Sequence, residues 1–340
     1  MVLATREEQV QVKVAADTSV NTRVATTIPN PKGAEVMDSW QFKVLDGLFS
    51  WPLFNAALFG IYRKQMVTKA ENMGIQWTRF LQDLNSKQDT LNRLQVEMTD
   101  KDVVIPDYYY APVHAYADGN LCWDSAMEED LWSKLMIAPL YDNSVHGDVI
   151  MRKDWLDTCE KYMPVDQVKN IIDLGCGTGL SMYMIQNKWK YADLLGIDLS
   201  TYKLAISGLK LLRKPDDVQK KVTLRHGPAE ATGEPDGKYD LATICLVNHE
   251  SPEQVSINMF NEAHRVLRKG GVFTILDLDK NNLEILLENP FVAAVYKQTE
   301  PYMAEYLKLD IAGELERSGF EVLEVRNSSP SHVAVVARKL

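Results

Sequence analysis

The spacing of apolar residues changes near residue 150 of this 340-residue chain. Before that point apolar residues recur at helical spacing, most clearly over residues 67–94, which predicts helices that pack through one face. Beyond it, short apolar runs alternate with helical segments, a pattern typical of βαβ units and a parallel sheet. We therefore expect a flexible tail over residues 1–35, a helical cap over 36–150 and an α/β domain over 151–340.

The α/β domain carries a series of strand patterns that ends in a hairpin. Apolar runs predict strands at residues 169–174, 194–198, 222–225, 239–246 and 272–278. Two further β-rich runs follow at 321–326 and 332–338, separated by turn-forming residues at 327–331. These last two runs predict an antiparallel pair that closes the sheet.

The most apolar stretch of the chain covers residues 42–62. Asp46, Pro52 and Asn55 interrupt it, whereas a membrane-spanning helix needs about 20 consecutive and mostly apolar residues. We expect two buried helices that are broken near Pro52, with attachment to a membrane surface through residues 42–62 as the alternative.

The charge balance argues against a nucleic-acid partner. The chain has 37 Lys and Arg against 47 Asp and Glu, which gives a formal net charge of −10. No basic cluster offsets this charge in the sequence, and an acidic surface repels a polyanion. A nucleic acid is therefore not the expected partner.

The cysteines and the N-terminus bear on the cellular setting. The four cysteines form no CxxC pair and have no nearby histidine at ligand spacing, so no metal site is expected. The N-terminus lacks the basic start and long apolar run of a secretory signal. We expect a soluble intracellular protein, cytoplasmic or, in an alga or plant, in the plastid. A processed targeting segment is the alternative for residues 1–35.

The strongest chemical signal is the run IIDLGCGTGL at residues 171–180. Its glycines, Gly175, Gly177 and Gly179, allow positive φ and a close approach of the backbone to a ligand. A helical pattern follows, whose first amides can meet polar ligand groups. Nineteen residues after Gly179 the next strand ends at Asp198, where a carboxylate can accept hydrogen bonds from both ribose hydroxyls. The pattern predicts a nucleoside site at the carboxyl edge of a parallel sheet.

A dehydrogenase that binds NAD or NADP is the competing interpretation, because a glycine-rich turn and a later acid also describe such sites. The glycines here follow GxGxG rather than GxGxxG, and the chain ends in a hairpin that most dehydrogenase sheets lack. In addition, Asp173 stands two residues before the first glycine, where a positively charged amino-acid group would bind better than a pyrophosphate.

At these residues the chain resembles the class I S-adenosylmethionine-dependent methyltransferase superfamily, in its ubiquinone- and menaquinone-biosynthesis-like branch of small-molecule enzymes. The resemblance covers residues 165–339 and is carried by DLGCGTG, LLGIDLS, KYDLATICLVNHE and EAHRVLRKGGVFTILDLD. It implies a Rossmann-like sheet of seven strands in the order 3-2-1-4-5-7-6, with strand 7 antiparallel. RKQMVTKAENMGIQW and HAYADGNLCW are similar to helical regions of methyltransferase-domain proteins from photosynthetic organisms.

The resemblance also implies a set of cofactor contacts. S-adenosylmethionine would be bound and S-adenosylhomocysteine released, with Asp173 and the three glycines around the methionine part of the cofactor and with Asp198 and Leu199 at ribose and adenine. The remaining expected contacts are Cys176, Leu246, Ala229 and Glu230. Pro228 stands where the family usually has an acid for the adenine amino group, so Ala229 and Glu230 are the weaker candidates.

The predicted function is methyl transfer from S-adenosylmethionine to a small metabolite. The sulfonium supplies the electrophile and the leaving group, so that the protein chiefly has to align donor and acceptor, and a base is optional. His249, with Glu250 beside it, is the candidate base after the fourth strand, and its alternative role is to cap the loop before Pro252.

Further residues are candidates for the acceptor pocket. Asn248 could contact the cofactor or the acceptor. Aromatic and imidazole side chains could enclose the acceptor or, as the alternative, only pack the cap onto the sheet: Tyr110, His114, Tyr116, Trp123 and Tyr302. Two other functions stay open at this point, a non-catalytic assembly or regulatory protein that binds the cofactor and the NAD(P)-dependent oxidoreductase.

Overall fold

The computed structural model describes residues 36, 39–49, 51–114 and 116–340, and for 52–59 and 284–286 it describes the backbone alone. The flexible tail predicted over residues 1–35 lies outside these ranges. The helices before the sheet are α1 (Trp40–Phe49), α2 (Pro52–Asn72), α3 (Trp77–Asn85), α4 (Gln88–Met98), α5 (Trp123–Ile137) and α6 (Gly147–Glu160).

Within the described ranges, seven strands form one sheet in the order β3-β2-β1-β4-β5-β7-β6. Its elements are β1 (Asn170–Leu174), α7 (Met182–Lys188), β2 (Asp193–Asp198), α8 (Thr201–Leu211), α9 (Asp216–Gln219), β3 (Val222–His226), β4 (Tyr239–Cys245), α10 (Glu253–Val266), β5 (Leu267–Leu278), α11 (Lys280–Leu287), α12 (Pro290–Thr299), α13 (Met303–Lys308), α14 (Ile311–Arg317), β6 (Phe320–Ser329) and β7 (His332–Lys339). β7 is antiparallel to both β5 and β6. The predicted fold class and strand order are confirmed.

The central strands are buried on both faces, which explains their nearly continuous apolar sequences. β1 reads NIIDL and β4 reads YDLATIC, and their central residues are inaccessible to solvent. Parallel sheets need helices on both faces, so such strands do not alternate between apolar and polar residues. One cluster of apolar side chains lies on each face of the sheet and joins it to the surrounding helices.

Two features of the C-terminal part differ from the sequence prediction. β6 continues through Ser329, so that the hairpin turn is shorter than the predicted 327–331. β5 begins at Leu267 rather than Val272, and its pairing with β4 shifts between Tyr239 and Leu241. The irregular register lets the strand pass through Gly270, whose φ is 74°.

The helices before the sheet are part of the same packed structure. The break expected near Pro52 is present between α1 and α2. In α1, Phe42 and Phe49 are buried in the apolar cluster on one face of the sheet, whereas Trp40, Val44 and Leu48 are exposed. The helix is therefore only partly buried, which differs from the prediction. Among the described helices none is both long and apolar enough to cross a membrane. Contact of residues 42–62 with a membrane surface stays a prediction.

Helix α6 crosses the expected boundary at residues 150–151. Its Met151 and Trp155 are fully buried, and the Trp155 indole N–H donates to Thr274 Oγ1 of β5 at 2.8 Å. The segment that enters the α/β domain is therefore anchored under the sheet. The division at this residue stays a prediction.

Candidate active site

A cavity of about 1220 Å³ opens at the carboxyl ends of β1, β2 and β4. Its wall includes Asp173 from the end of β1, Asp198 from the end of β2 and Leu246 after β4. Some residues of the segments 108–114, 116–120 and 295–303 also contribute to the lining, from outside the sheet. Ligands of open α/β sheets bind at this edge, where the loops that follow parallel strands meet.

The glycine-rich loop adopts the conformation that its composition predicts. Gly175 and Gly177 have φ of 74° and 51° and line the cavity, as does Cys176 between them. The amides of Gly175 and Cys176 donate to the Ile197 carbonyl at 2.9 and 3.0 Å. These bonds fix the loop against β2 and leave its outer side facing the cavity.

Gly179 has a different role from the other two glycines. It is absent from the residues that line the cavity, and a Cβ atom there would lie 2.6 Å from both Ser207 Oγ and the Tyr183 ring. The position thus permits close packing of α7 and α8 rather than contact with a ligand. Gly179 was predicted to contact the cofactor, but in the structure it lies behind the glycine loop and does not line the cavity.

Asp198 is buried and receives three hydrogen bonds. Its carboxylate accepts from the Gly177 amide at 2.8 Å, the Ser200 amide at 2.7 Å and the Tyr109 hydroxyl at 3.2 Å. Burial raises the pKa of this carboxyl above its usual value, against the effect of Lys203 and these amides. Asp198 therefore connects the glycine loop, β2 and residues 107–114 and 116–120, which we call the aromatic loop.

Asp173 is a buried acid, and few interactions offset the cost of burying its charge. Thr243 of β4 donates to its Oδ1 at 2.5 Å, and the residue is 2% exposed. Burial raises its pKa to about 7, with a further contribution from the neighbouring Asp198. A positively charged ligand group in the cavity would favour the ionised form of this acid.

Glu129 and Lys203 line the same part of the cavity, and the sequence analysis missed both. Glu129 of α5 accepts from the Thr178 amide at 3.1 Å, and Lys203 of α8 pairs with it at 2.8 Å. Burial would raise the pKa of Glu129, but Lys203 outweighs this effect and lowers it. Neither residue belongs to a recognisable motif, because only the fold brings α5 against the glycine loop.

The expected adenine contacts lie together in the wall. Leu199, Ala229 and Glu230 all line the cavity, and the Tyr108 hydroxyl donates to Glu230 Oε1 at 2.7 Å. Leu246 also lines it, with an unusual φ of 58°. Glu230 thus has a hydrogen-bonding partner from the aromatic loop even though Pro228 cannot supply the usual acid.

Three of the aromatic candidates for the acceptor pocket do not line the cavity. Tyr110 is 58% exposed, whereas its neighbours Tyr108 and Tyr109 point into the wall. Trp123 packs edge-on against Tyr202, with 5.0 Å between ring centroids. Tyr302 donates to the Tyr108 carbonyl at 2.8 Å and so positions the loop. The short 3₁₀ helix at Asp107–Tyr110 decides which tyrosines face inward, and the sequence pattern did not resolve its phase.

Tyr116 lines the cavity within a polar network. Its hydroxyl donates to Glu128 Oε2 at 2.5 Å and accepts from the Trp132 indole N–H at 2.9 Å. Arg63 of α2 pairs with the same Glu128 carboxylate. The network ties α2, α5 and the aromatic loop together beside the cavity.

His114, His249, Glu250 and Glu300 converge in the cavity, and we call them the histidine–glutamate cluster. Nε2 of His114 lies 3.3 Å from Glu250 Oε1 and 3.1 Å from Glu300 Oε1. Burial alone would lower the pKa of His114, but these two carboxylates outweigh it and raise the pKa to about 9. The structure thus joins the predicted residues His114, His249 and Glu250 with Glu300, which follows α12.

His249 is oriented by a buried carboxylate at the end of β5. Its Nδ1 lies 2.6 Å from Asp277 Oδ1, so that Nε2 is the ring nitrogen that faces Glu250. Burial lowers its pKa, yet Asp277 and then Glu250 raise it to about 9. Asn248 supports the same carboxylate through its backbone and side-chain N–H groups and does not line the cavity.

Residues 171–271 match the family described as methyltransferase domain. They begin in β1, contain the glycine loop and Asp198, and end in β5. The chain contains a class I, S-adenosylmethionine-dependent methyltransferase domain. This outcome confirms the predicted family and cofactor.

Curated relatives of this methyltransferase domain have different acceptors in their names. Over 214 residues the chain is 26% identical to 2-phytyl-1,4-beta-naphthoquinone methyltransferase, chloroplastic, of Arabidopsis thaliana, which covers 58% of this chain and 80% of that protein. Over 160 residues it is 29% identical to ribosomal RNA large subunit methyltransferase G of Colwellia psychrerythraea, covering 44% of this chain and 39% of that one.

Solved structures of methyltransferases resemble this chain less closely. Phosphoethanolamine N-methyltransferase 2 of Haemonchus contortus is 14% identical, with a TM-score of 0.46 over 66% of this chain and 61% of that chain. A likeness at this level carries no information about the acceptor of the present methyltransferase domain.

Proposed function

We propose that this protein transfers the methyl group of S-adenosylmethionine to a small-molecule acceptor that binds in the cavity beside the histidine–glutamate cluster. The observation that carries the proposal is a shared cavity: Asp173, Gly177 and Asp198 line it together with all four members of that cluster. Its volume, about 1220 Å³, exceeds the range of about 300–1,000 Å³ usual for one small ligand. The excess leaves space for an acceptor beside the donor.

The residues at the glycine loop fit the cofactor. Gly177 has no side chain on the cavity side, and Asp198 offers a buried carboxylate to ribose hydroxyls. Asp173 and Glu129 add two carboxylates for the positive charges of the methionine part. When bound, S-adenosylmethionine supplies an electrophilic methyl group and a neutral leaving group.

The charge of the cluster restricts the role of His249. Nδ1 of His249 is bonded to Asp277 at 2.6 Å and Nε2 faces Glu250 at 3.9 Å, so both nitrogens of its ring already have carboxylate partners. We therefore assign His249 and Glu250 to the wall that orients the acceptor rather than to proton transfer. Correct orientation alone can contribute about 7–11 kcal/mol to a bimolecular transfer.

A small acceptor fits this site better than a nucleic acid. The chain carries a net charge of −10. Carboxylates also line the cavity near the glycine loop and the cluster, among them Asp173, Glu129, Asp198, Glu250 and Glu300. Both features repel phosphates. The naphthoquinone methyltransferase relative supports a small molecule, and its chloroplast location supports a plastid setting over the cytoplasm.

The experiment is transfer of a radiolabelled methyl group from S-adenosylmethionine to fractions of a cell extract. Ultrafiltration separates metabolites from protein and RNA before the enzyme is added. We expect enzyme-dependent label in the metabolite fraction, and less of it with Glu250→Gln. Label confined to RNA or protein would contradict the proposed acceptor class, and absence of label from every fraction would contradict methyl transfer itself.

A further inference from the structure

The histidine–glutamate cluster has the composition and spacing of a metal site. Each of its four residues offers one ligand atom, and these atoms all lie within 4.8 Å of one another. His114 Nε2 lies 3.1 Å from Glu300 Oε1 and 3.3 Å from Glu250 Oε1, and His249 Nε2 lies 3.9 Å from Glu250 Oε1. Tetrahedral ligands at about 2.0–2.2 Å from a zinc ion would lie about 3.3–3.6 Å apart.

The surroundings of His249 match those of a metal-binding histidine. Such a ligand usually gives its other ring N–H to a carboxylate, which fixes the tautomer and the ring orientation. Here His249 Nδ1 bonds to Asp277, which is itself held by the Asn248 and Leu278 amides at 2.9 Å each. The arrangement holds Nε2 in place at the cluster.

Glu300 gives a second, independent indication of a ligand. The residue is 8% exposed and lines the cavity, and its Oε2 has no hydrogen-bonding partner among the described residues. A buried carboxylate oxygen without a partner is costly. A cation in the cluster would compensate it.

His114 is held in the cluster by a strained backbone. Its φ is 52°, in the left-handed region that few residues other than glycine adopt, and its amide donates to the Thr299 carbonyl at 2.7 Å. Strain of this kind persists where the surrounding structure enforces it, and it concentrates at functional sites. The bond to Thr299 places the imidazole opposite Glu300.

We propose that the cluster binds one divalent transition metal ion, zinc by preference, through Nε2 of His114 and His249 and one carboxylate oxygen each of Glu250 and Glu300. Two imidazoles among four ligands favour zinc and similar ions over magnesium and calcium, which prefer oxygen ligands alone. Two glutamates balance the charge of the ion. The cysteine spacing predicted no metal, because the ligands come from three segments between residues 114 and 300.

The ion would join parts of the chain that are distant in sequence. His114 lies in the aromatic loop, His249 and Glu250 follow β4, and Glu300 follows α12. Four protein ligands complete a tetrahedral shell, as in structural zinc sites. The proposed ion therefore fastens the aromatic loop over the cavity, a role that does not depend on methyl transfer.

Zinc titration of the full chain tests the proposal. The untagged protein is stripped with a chelator and titrated with zinc chloride against a chromophoric competitor, and cobalt(II) is added separately to report tetrahedral coordination through its visible absorption. We expect one zinc per chain and a tetrahedral cobalt spectrum. Bound zinc should also raise the melting temperature.

Two cluster variants and one control decide between specific and adventitious binding. His114→Asn keeps a residue that tolerates positive φ, and Glu300→Gln keeps the shape of the side chain. Each should weaken zinc binding at least about a hundredfold, since even outer-shell changes cost about 10–100-fold. His146→Ala removes an exposed imidazole outside the cluster and should bind zinc like the parent.

The proposal is overturned if the stripped chain shows no saturable binding, or if both cluster variants bind zinc as tightly as His146→Ala. Melting curves without zinc establish that each variant is folded. Binding of S-adenosylhomocysteine to the stripped protein is measured separately, so that failure of the metal site and failure of the proposed methyl transfer are distinguishable.

Discussion

The two ends of the cavity are built in different ways. At the cofactor end, Asp173, the glycine loop and Asp198 lie within 26 consecutive residues, 173–198, and follow adjacent parallel strands. At the acceptor end, the histidine–glutamate cluster combines residues from three segments that meet only in the folded chain. A local motif is thus enough to specify the cofactor end, whereas the acceptor end depends on how the aromatic loop and the segment after α12 pack on the sheet.

The largest expected effect comes from removing Asp198. Asp198→Ala should weaken S-adenosylmethionine binding at least about a hundredfold, because hydrogen bonds to a charged group contribute about 1.5–3 kcal/mol each. Glu250→Gln, at the other end, should change this affinity less than about threefold. Isothermal titration measures the affinity of both variants for S-adenosylmethionine. Equal losses of affinity in the two variants would show that the two ends are not separable.

Substitutions at the acceptor end should lower the rate of transfer and leave cofactor binding nearly unchanged. Once label transfer has identified the acceptor, Glu300→Gln and His114→Asn should lower kcat/KM for it about tenfold or more, because they remove charge from the acceptor end. Binding of S-adenosylmethionine should stay within about threefold of the parent. A variant whose affinity for S-adenosylmethionine falls by the same factor as its kcat/KM would contradict the separation of the two ends.

A pH titration tests the cofactor end without changing the acceptor end. The pKa of Asp173 is raised to about 7, so below that pH the free protein holds a proton there. A cationic ligand favours the ionised carboxylate, so affinity for S-adenosylmethionine should rise from pH 6 to pH 7.5 and then level off. The expected rise is several-fold, and Asp173→Asn should abolish it. If the affinity of Asp173→Asn rises with pH as steeply as that of the parent, another group, such as Asp198, is responsible for the rise.

The smallest expected effect separates two adjacent tyrosines. Tyr109→Phe removes the hydroxyl that donates to Asp198 at 3.2 Å, and a typical net hydrogen bond contributes about 0.5–1.5 kcal/mol. We expect a two- to tenfold loss of cofactor affinity, measured by the same titration. Tyr110→Phe is the matched control, because that side chain is exposed and should leave the affinity unchanged.

The sequence predicted the sheet and the cofactor end because both depend on local signals. Buried parallel strands have nearly continuous apolar sequences, and Gly175 and Gly177 indicate the loop because glycine readily adopts positive φ. Gly179 shows the limit of such a motif, since its small size serves the packing of α7 on α8.

The acceptor end could be predicted only in part. His114, His249 and Glu250 were singled out by residue type and position, but their proximity to Glu300 depends on tertiary packing. The phase of the short helix at Asp107–Tyr110 determines that Tyr109 rather than Tyr110 faces inward. Glu129 carries no sequence signal, because a glutamate on a helix is ordinarily exposed.

The most direct test of the account is isothermal titration of the unmodified chain with S-adenosylmethionine, S-adenosylhomocysteine and NADH. We predict saturable binding of both sulfur nucleosides at one per chain and no binding of NADH. Binding of NADH alone, or of none of the three, would contradict the assignment of the cavity to a methyl donor.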